Sequence, residues 1–224
     1  CYNTTFKYSS FINNIAGTNG GAIDWNKGAS DGTVEYCTFE NNIANRSAGA
    51  IFWNGHNGTI RHSNFTNNMA KGIAWAISVR GENYTGGDGG AVMWSGAVGD
   101  VIDCIFINNT AAKRGGGVFL QAGILSNGTL ENCSDTSFTD SRFENNIAGT
   151  NGGAIDWNEG AHKGMVNNVE FINNTAGRNG GAIFWHGDDG TVINSRFDNN
   201  RATGENRQYN MTVNMGTSTI VKPL

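Results

Sequence analysis

Proline is almost missing from this chain: among 224 residues it occurs once, at Pro223. Charge is sparse as well, with 15% charged residues and a formal net charge of −4. That balance argues against nucleic-acid binding, which shows a basic patch. No run of 18 apolar residues exists, so no helical membrane span or membrane insertion is expected. No stretch reads as a signal peptide, and the chain starts at Cys1 rather than Met, which predicts a mature form or a segment of a longer protein. The four cysteines include no C-x-x-C and no Cys/His spacing suited to zinc, so neither metal nor cofactor is expected. Helical periodicity is lacking too. Glycine, by contrast, is abundant at 33 residues but has no three-residue period, which excludes collagen. Trp, Phe and Ile recur at fixed offsets, which disordered chains do not show.

Those offsets define repeats. The motif F-x-N-N-x-A occurs at Phe11, Phe39, Phe65, Phe106, Phe143, Phe171 and Phe197, with gaps of 28, 26, 41, 37, 28 and 26 residues. About nine residues later comes G-G-A-I-x-W or a variant: GGAIDW, AGAIFW, GGAVMW, GGGVFL, GGAIDW and GGAIFW. A third motif, G-T followed by a β-branched residue or Leu, precedes the next Phe at Gly32, Gly58, Gly128 and Gly190. A longer period lies above these: NNIAGTNGGAIDWN stands at residues 13–26 and again, unchanged, at 145–158, a shift of 132. A catalytic motif is needed once, whereas a structural course is needed many times.

Each unit is too short to bury its own apolar face, so neighbours must share a core. The strands are short and rich in β-branched and aromatic residues, with Gly/Asn turns between them. The expected fold is all-β: a parallel β-helix of about eight coils over residues 1–202, three short strands per coil, stacked at the sheet spacing. Alternation places Ile23 and Trp25 on one face of GAIDW and Asp24 on the other. Trp25, Trp53, Trp94, Trp157 and Trp185 are expected to form one internal stack. Phe11, Phe39, Phe65, Phe106, Phe143, Phe171 and Phe197 are expected to form another. Paired asparagines such as Asn13 and Asn14 mark the bend after the Phe strand, where stacked amides can hydrogen-bond along a ladder.

Two longer units carry insertions, near 70–88 and 121–142, of the kind that builds a solenoid's binding face. The tail 203–224 leaves the pattern, and its alternation from Tyr209 to Met215 predicts a capping strand or one exchanged with a neighbour. Cys104 and Cys133 are 29 residues apart and Cys1 and Cys37 are 36 apart, each near one coil, so these two pairs are the expected disulfides, with buried free thiols as the alternative.

Sequons provide candidate glycosylation sites at Asn3, Asn45, Asn57, Asn83, Asn108, Asn127, Asn132, Asn173 and Asn210; Asn64, beside an inward Phe, is a poorer candidate. Enzymes on this type of scaffold need clustered acids. Asp24 and Asp156 point outward but have Phe52 and Phe184 as strand neighbours, and Asp188, Asp189 and His186 read as a solvated turn. No enzyme activity is expected. Outward Phe52, Phe119 and Phe184 are candidate exposed contacts, unless the inserted loops cover them.

FINNTAGRNGGAIFW, FENNIAGTNGGAIDW and FINNTAAKRGGGVF resemble the repeats of adhesin-like surface proteins of methanogenic archaea, and are similar to those of chlamydial polymorphic outer-membrane proteins. The resemblance covers residues 1 to about 202 and implies an extracellular, cell-surface, right-handed parallel β-helix used in attachment. The expected partners are glycans or proteins on a host or neighbouring cell, bound by multivalent weak contact. A filament or sheath subunit, self-associating end to end or through tail-strand exchange, is the alternative. A polysaccharide lyase or hydrolase ranks below both. Ice binding ranks last, because Thr33, Thr59, Thr129 and Thr191 recur once per coil rather than in ranks.

Overall fold

The F-x-N-N-x-A motif carries two strands rather than one. In the first repeat, Ser10–Ile12 forms around Phe11 and Ile15–Ala16 follows after the asparagine bend. The expected three strands of each coil are therefore present, and a two-residue fourth is added. The computed structural model describes residues 2–26, 28–74, 77–79, 82–124, 130–131, 133–158 and 160–204. Cys1, Asn127, Asn132, Asn210 and nearly all of the tail lie outside them, as does the side chain of Asn83.

Equivalent strands stack into four parallel sheets of seven, seven, seven and six strands, each in chain order, which is the topology of a parallel β-helix. Phe pairs with Phe at every rung of the second sheet, from Phe11↔Phe39 to Phe171↔Phe197. The described residues make seven coils rather than eight, because the two long units put their extra length into antiparallel hairpins. One hairpin pairs Ile77–Val79 with Glu82–Tyr84, and the other pairs Gly123–Ile124 with Leu130–Glu131. The second insertion is shorter than its expected span, since Thr136–Thr139 and Arg142–Glu144 are ordinary rungs.

Left-handed residues turn the corners. Asn13, Asn41, Asn67, Asn108, Asn145, Asn173 and Asn199 all have φ between 51° and 58°, a region in which Asn is enriched. The second asparagine of each pair turns inward. From Asn14 to Asn200, each Nδ2 donates to the next Oδ1 over 2.8–3.0 Å. From Asn42 onward it also donates to the Phe carbonyl one coil back, as Asn109 does to Phe65 at 2.9 Å. Backbone N–H groups join the same oxygens, so a buried amide column runs through the rod with its donors and acceptors matched.

The glycines follow from close approach. A Cβ on Gly90 would lie 1.9 Å from the Gly116 carbonyl oxygen of the next coil, and one on Gly99 would lie 2.4 Å from the Trp94 ring. Thus the G-G-A glycine admits the neighbouring backbone, and the glycine before the first-sheet strand admits the indole.

The Phe stack forms as expected, whereas the single Trp stack expected is divided in two. The Phe column is continuous, with adjacent centroids 4.5–5.3 Å apart. The Trp column joins Trp25, Trp53 and Trp94, and then Trp157 with Trp185, but Leu120 occupies the rung between the two groups. The super-repeat also has a structural counterpart. Phe6 meets Phe11 and Trp25 edge-on, and Phe138 meets Phe143 and Trp157 in the same way. The fourteen repeated residues build the same part of the wall in coils one and five.

Candidate functional site

The outward positions of the fourth sheet form a column Asp24, Phe52, Met93, Phe119, Asp156, Phe184. Phe119 was expected at the surface as a contact residue. It is instead fully buried, in a second apolar cluster with Ala48 and Met93, against which Phe52 packs. The Arg114 guanidinium caps its ring at 4.3 Å. Phe52 and Phe184 are half-buried, so this face offers no row of free aromatic rings.

Burial separates the two copies of the identical segment. Asp24 is exposed. Asp156 is fully buried, and among the described residues neither carboxyl oxygen has a hydrogen-bond partner. Desolvation pushes the Asp156 carboxyl well above the usual carboxylate range, with Asp88 reinforcing the shift and Arg114 opposing it. Asp88 is buried beside it and holds Arg114 through two bonds of 2.8 and 3.0 Å. Asp24 and Asp156 are separated by three rungs and do not converge. His186, Asp188 and Asp189 are exposed, and the Asp188 carboxylate lies 3.6 Å from His162. Among the described residues no group of three His, Cys, Asp or Glu side chains is placed to hold a metal ion.

The expected Cys104–Cys133 disulfide does not form, and the expected Cys1–Cys37 pair involves a residue outside the described ones. Cys37, Cys104 and Cys133 are free, buried thiols, and Cys1 lies outside the described residues. Sequence spacing misleads here because one long unit carries a hairpin. Cys104 stands before the Phe strand, where its neighbour in the next coil is Ser141, and their bond is 3.1 Å. Cys133 stands at another corner, before Thr136–Thr139. Cys37 and Cys104 share a column, but Ser63 lies between them. Burial pushes the Cys104 and Cys133 thiols up to about 12. We therefore expect these three buried thiols to be silent towards a thiolate-specific disulfide reagent at pH 8 in the folded protein and to react promptly in denaturant. Rapid labelling of the folded chain at Cys37, Cys104 or Cys133, located by peptide mapping, would contradict the buried placement.

The sequons divide by position. Asn3, Asn57, Asn108 and Asn173 are exposed corner residues with positive φ, and Asn45 is half-buried. Asn64, set aside because of its inward neighbour, is itself exposed, since alternation turns it away from Phe65.

One surface feature escaped the motif reading. Three residues before each motif Phe, the corner between the first and second sheets reads Tyr8, Tyr36, His62, Asp103, Asp140, Asn168, Asn194, all with φ between 49° and 55°. Tyr8 and Tyr36 are 78% and 46% exposed, and their rings stack at 5.1 Å. Tyr36 stacks on His62 at 4.7 Å, and His62 Nδ1 lies 2.9 Å from the Asp103 carboxylate. Aligning the repeats on Phe shows this column as two Tyr and one His where the later coils have Asp or Asn.

Comparison with known proteins gives one match. The Chlamydia polymorphic membrane protein (Chlamydia_PMP) repeat matches residues 8–24, 103–121, 140–156 and 168–184. Each segment runs from the Tyr/Asp/Asn corner region, through the Phe strand, to the fourth-sheet strand, so the family repeat corresponds to three of the four strands of a coil of this solenoid. No curated protein and no solved structure matches the chain.

Proposed function

We propose that this chain is a cell-surface adhesin segment: a β-solenoid rod that presents one repeated outer surface to glycans or proteins of another cell. The observation that carries the reading is the fourfold match to a membrane-protein repeat, laid on coils one, four, five and six of a seven-coil parallel β-helix. A solenoid repeats its surface residues at every rung, so weak contacts add along a polymer or cell surface.

The test measures binding of the fluorescently labelled chain to intact cells, free and coupled to beads. Saturable binding that strengthens about a hundredfold or more on beads is expected from multivalency. No binding in either form overturns the reading. Electron microscopy at several concentrations accompanies it: long filaments from the isolated chain would put a sheath or filament subunit first.

A further inference from the structure

We propose that Tyr8, Tyr36 and His62 form a ridge that binds a neutral, linear polysaccharide; this rests on the adhesin reading and names its surface and ligand class. The argument begins with strain. A left-handed conformation costs roughly 1–2 kcal/mol for an ordinary L-residue, and Asn, Asp and His adopt it most readily. Five coils of this corner follow that rule with His62, Asp103, Asp140, Asn168 and Asn194, whereas the first two carry tyrosines at φ 50° and 52°. Each aromatic pair returns about 0.5–1.5 kcal/mol, so the two stacked pairs at most offset the strain of the two tyrosines. Folding stability therefore gives no reason to prefer rings here, and backbone strain kept at an exposed position is a pointer to binding.

The chemistry of the strip selects the ligand. Neither tyrosine makes a side-chain hydrogen bond to another described residue, so two phenol groups remain available one rung apart. On one side run Lys7, Glu35 and Arg61, joined by ion pairs of 2.7 and 2.9 Å, in which the buried Glu35 carboxylate offsets one of the two exposed cations and leaves a single positive charge. On the other side run Ser10, Thr38 and Asn64, small hydroxyl and amide groups in the same register. Polar-tipped rings flanked on one side by neutral hydrogen-bonding groups suit a polyhydroxylated, uncharged chain lying across the rungs. An anionic polymer would meet the exposed Asp103 carboxylate at the end of the ridge. A protein partner would favour an apolar anchor pocket, which this convex corner lacks.

The experiment uses the full chain, immobilised, against hexasaccharides of cellulose, chitin, xylan and mannan, with dextran sulfate and gelatin as the anionic and protein probes. The comparison variant is Tyr8→Asn/Tyr36→Asn/His62→Asn, which installs the residue that already turns this corner at Asn168 and Asn194. Tyr8→Asn alone is the second variant, at the most exposed position of the three. Binding of at least one neutral hexasaccharide is expected. It should weaken at least tenfold in the triple variant and measurably in the single one, with the melting midpoint held or raised and with Phe184→Ala inert. The proposal is overturned if no neutral hexasaccharide binds, if only dextran sulfate or gelatin binds, or if the variants bind as the parent does. In those cases continued binding to cells leaves the adhesin reading standing, while loss of both removes both.

Discussion

Asn109→Ala is expected to cost about 3–5 kcal/mol of folding stability, read as a fall in the urea midpoint at unchanged slope. Asn109 is fully buried at the centre of the amide column. Its Oδ1 accepts from the Asn68 backbone N–H and from Asn68 Nδ2, both at 3.0 Å. Its Nδ2 donates to the Phe65 carbonyl at 2.9 Å and to Asn146 Oδ1 at 3.0 Å. Alanine leaves the Asn68 backbone donor and the Phe65 acceptor dry and unpaired, and each such group costs about 1–3 kcal/mol. Asn200 has the same chemistry in the last described coil, where it is half-buried and water can reach the freed groups. Asn200→Ala should therefore cost about 1 kcal/mol. Equal effects at the two sites would mean that the column is not a cooperative network and that only its local bend matters.

Asp156→Asn should stabilise the protein at neutral pH by on the order of 2–3 kcal/mol and have almost no effect at pH 4. The sign follows from linkage. The folded carboxyl is raised well above its usual range by burial, whereas the unfolded carboxyl is ordinary. Below the unfolded value both states hold the proton and burial carries no charge penalty. As pH climbs towards the folded value, the unfolded state releases its proton first, so the parent progressively loses stability relative to the variant. Thermal melts of both proteins between pH 4 and pH 8 should give curves that meet at the acid end and diverge upward. Asp24→Asn is the internal comparison: the same residue in the same fourteen-residue context is exposed and only partial burial raises its carboxyl, so its curve should diverge from the parent's in the same direction but by clearly less. Parallel curves for Asp156→Asn and the parent would show that the Asp156 carboxyl is solvated.

The repeat motifs made the scaffold legible. Phe at every 26–28 residues in the regular units demanded stacking, because a strand of three residues has no other way to bury a ring. The outcome is the Phe column, the Asn ladder and the inward indoles. The fourth strand was less visible, since a two-residue Ile-Ala rung has no period of its own. The Cys104–Cys133 pairing failed because residue count measures path length along the chain, whereas a hairpin adds path without adding a coil. Phe119 failed for a different reason: alternation correctly turned it off the core, but facing outward on a sheet is not the same as facing water.

Inward and outward direction, coil pairing and corner chemistry are local properties, written in motifs that any one unit repeats. Burial of the outer face depends on what a distant part of the chain lays over a given rung. NNIAGTNGGAIDWN shows the boundary: both copies form the same strands and the same indole contacts, yet one leaves Asp24 in water and the other seals Asp156 beside Phe119 and near the Arg114–Asp88 pair. Identical residues have identical backbone preferences, but the solvation of a carboxylate is set by neighbours across the fold, and no count along the sequence contains them.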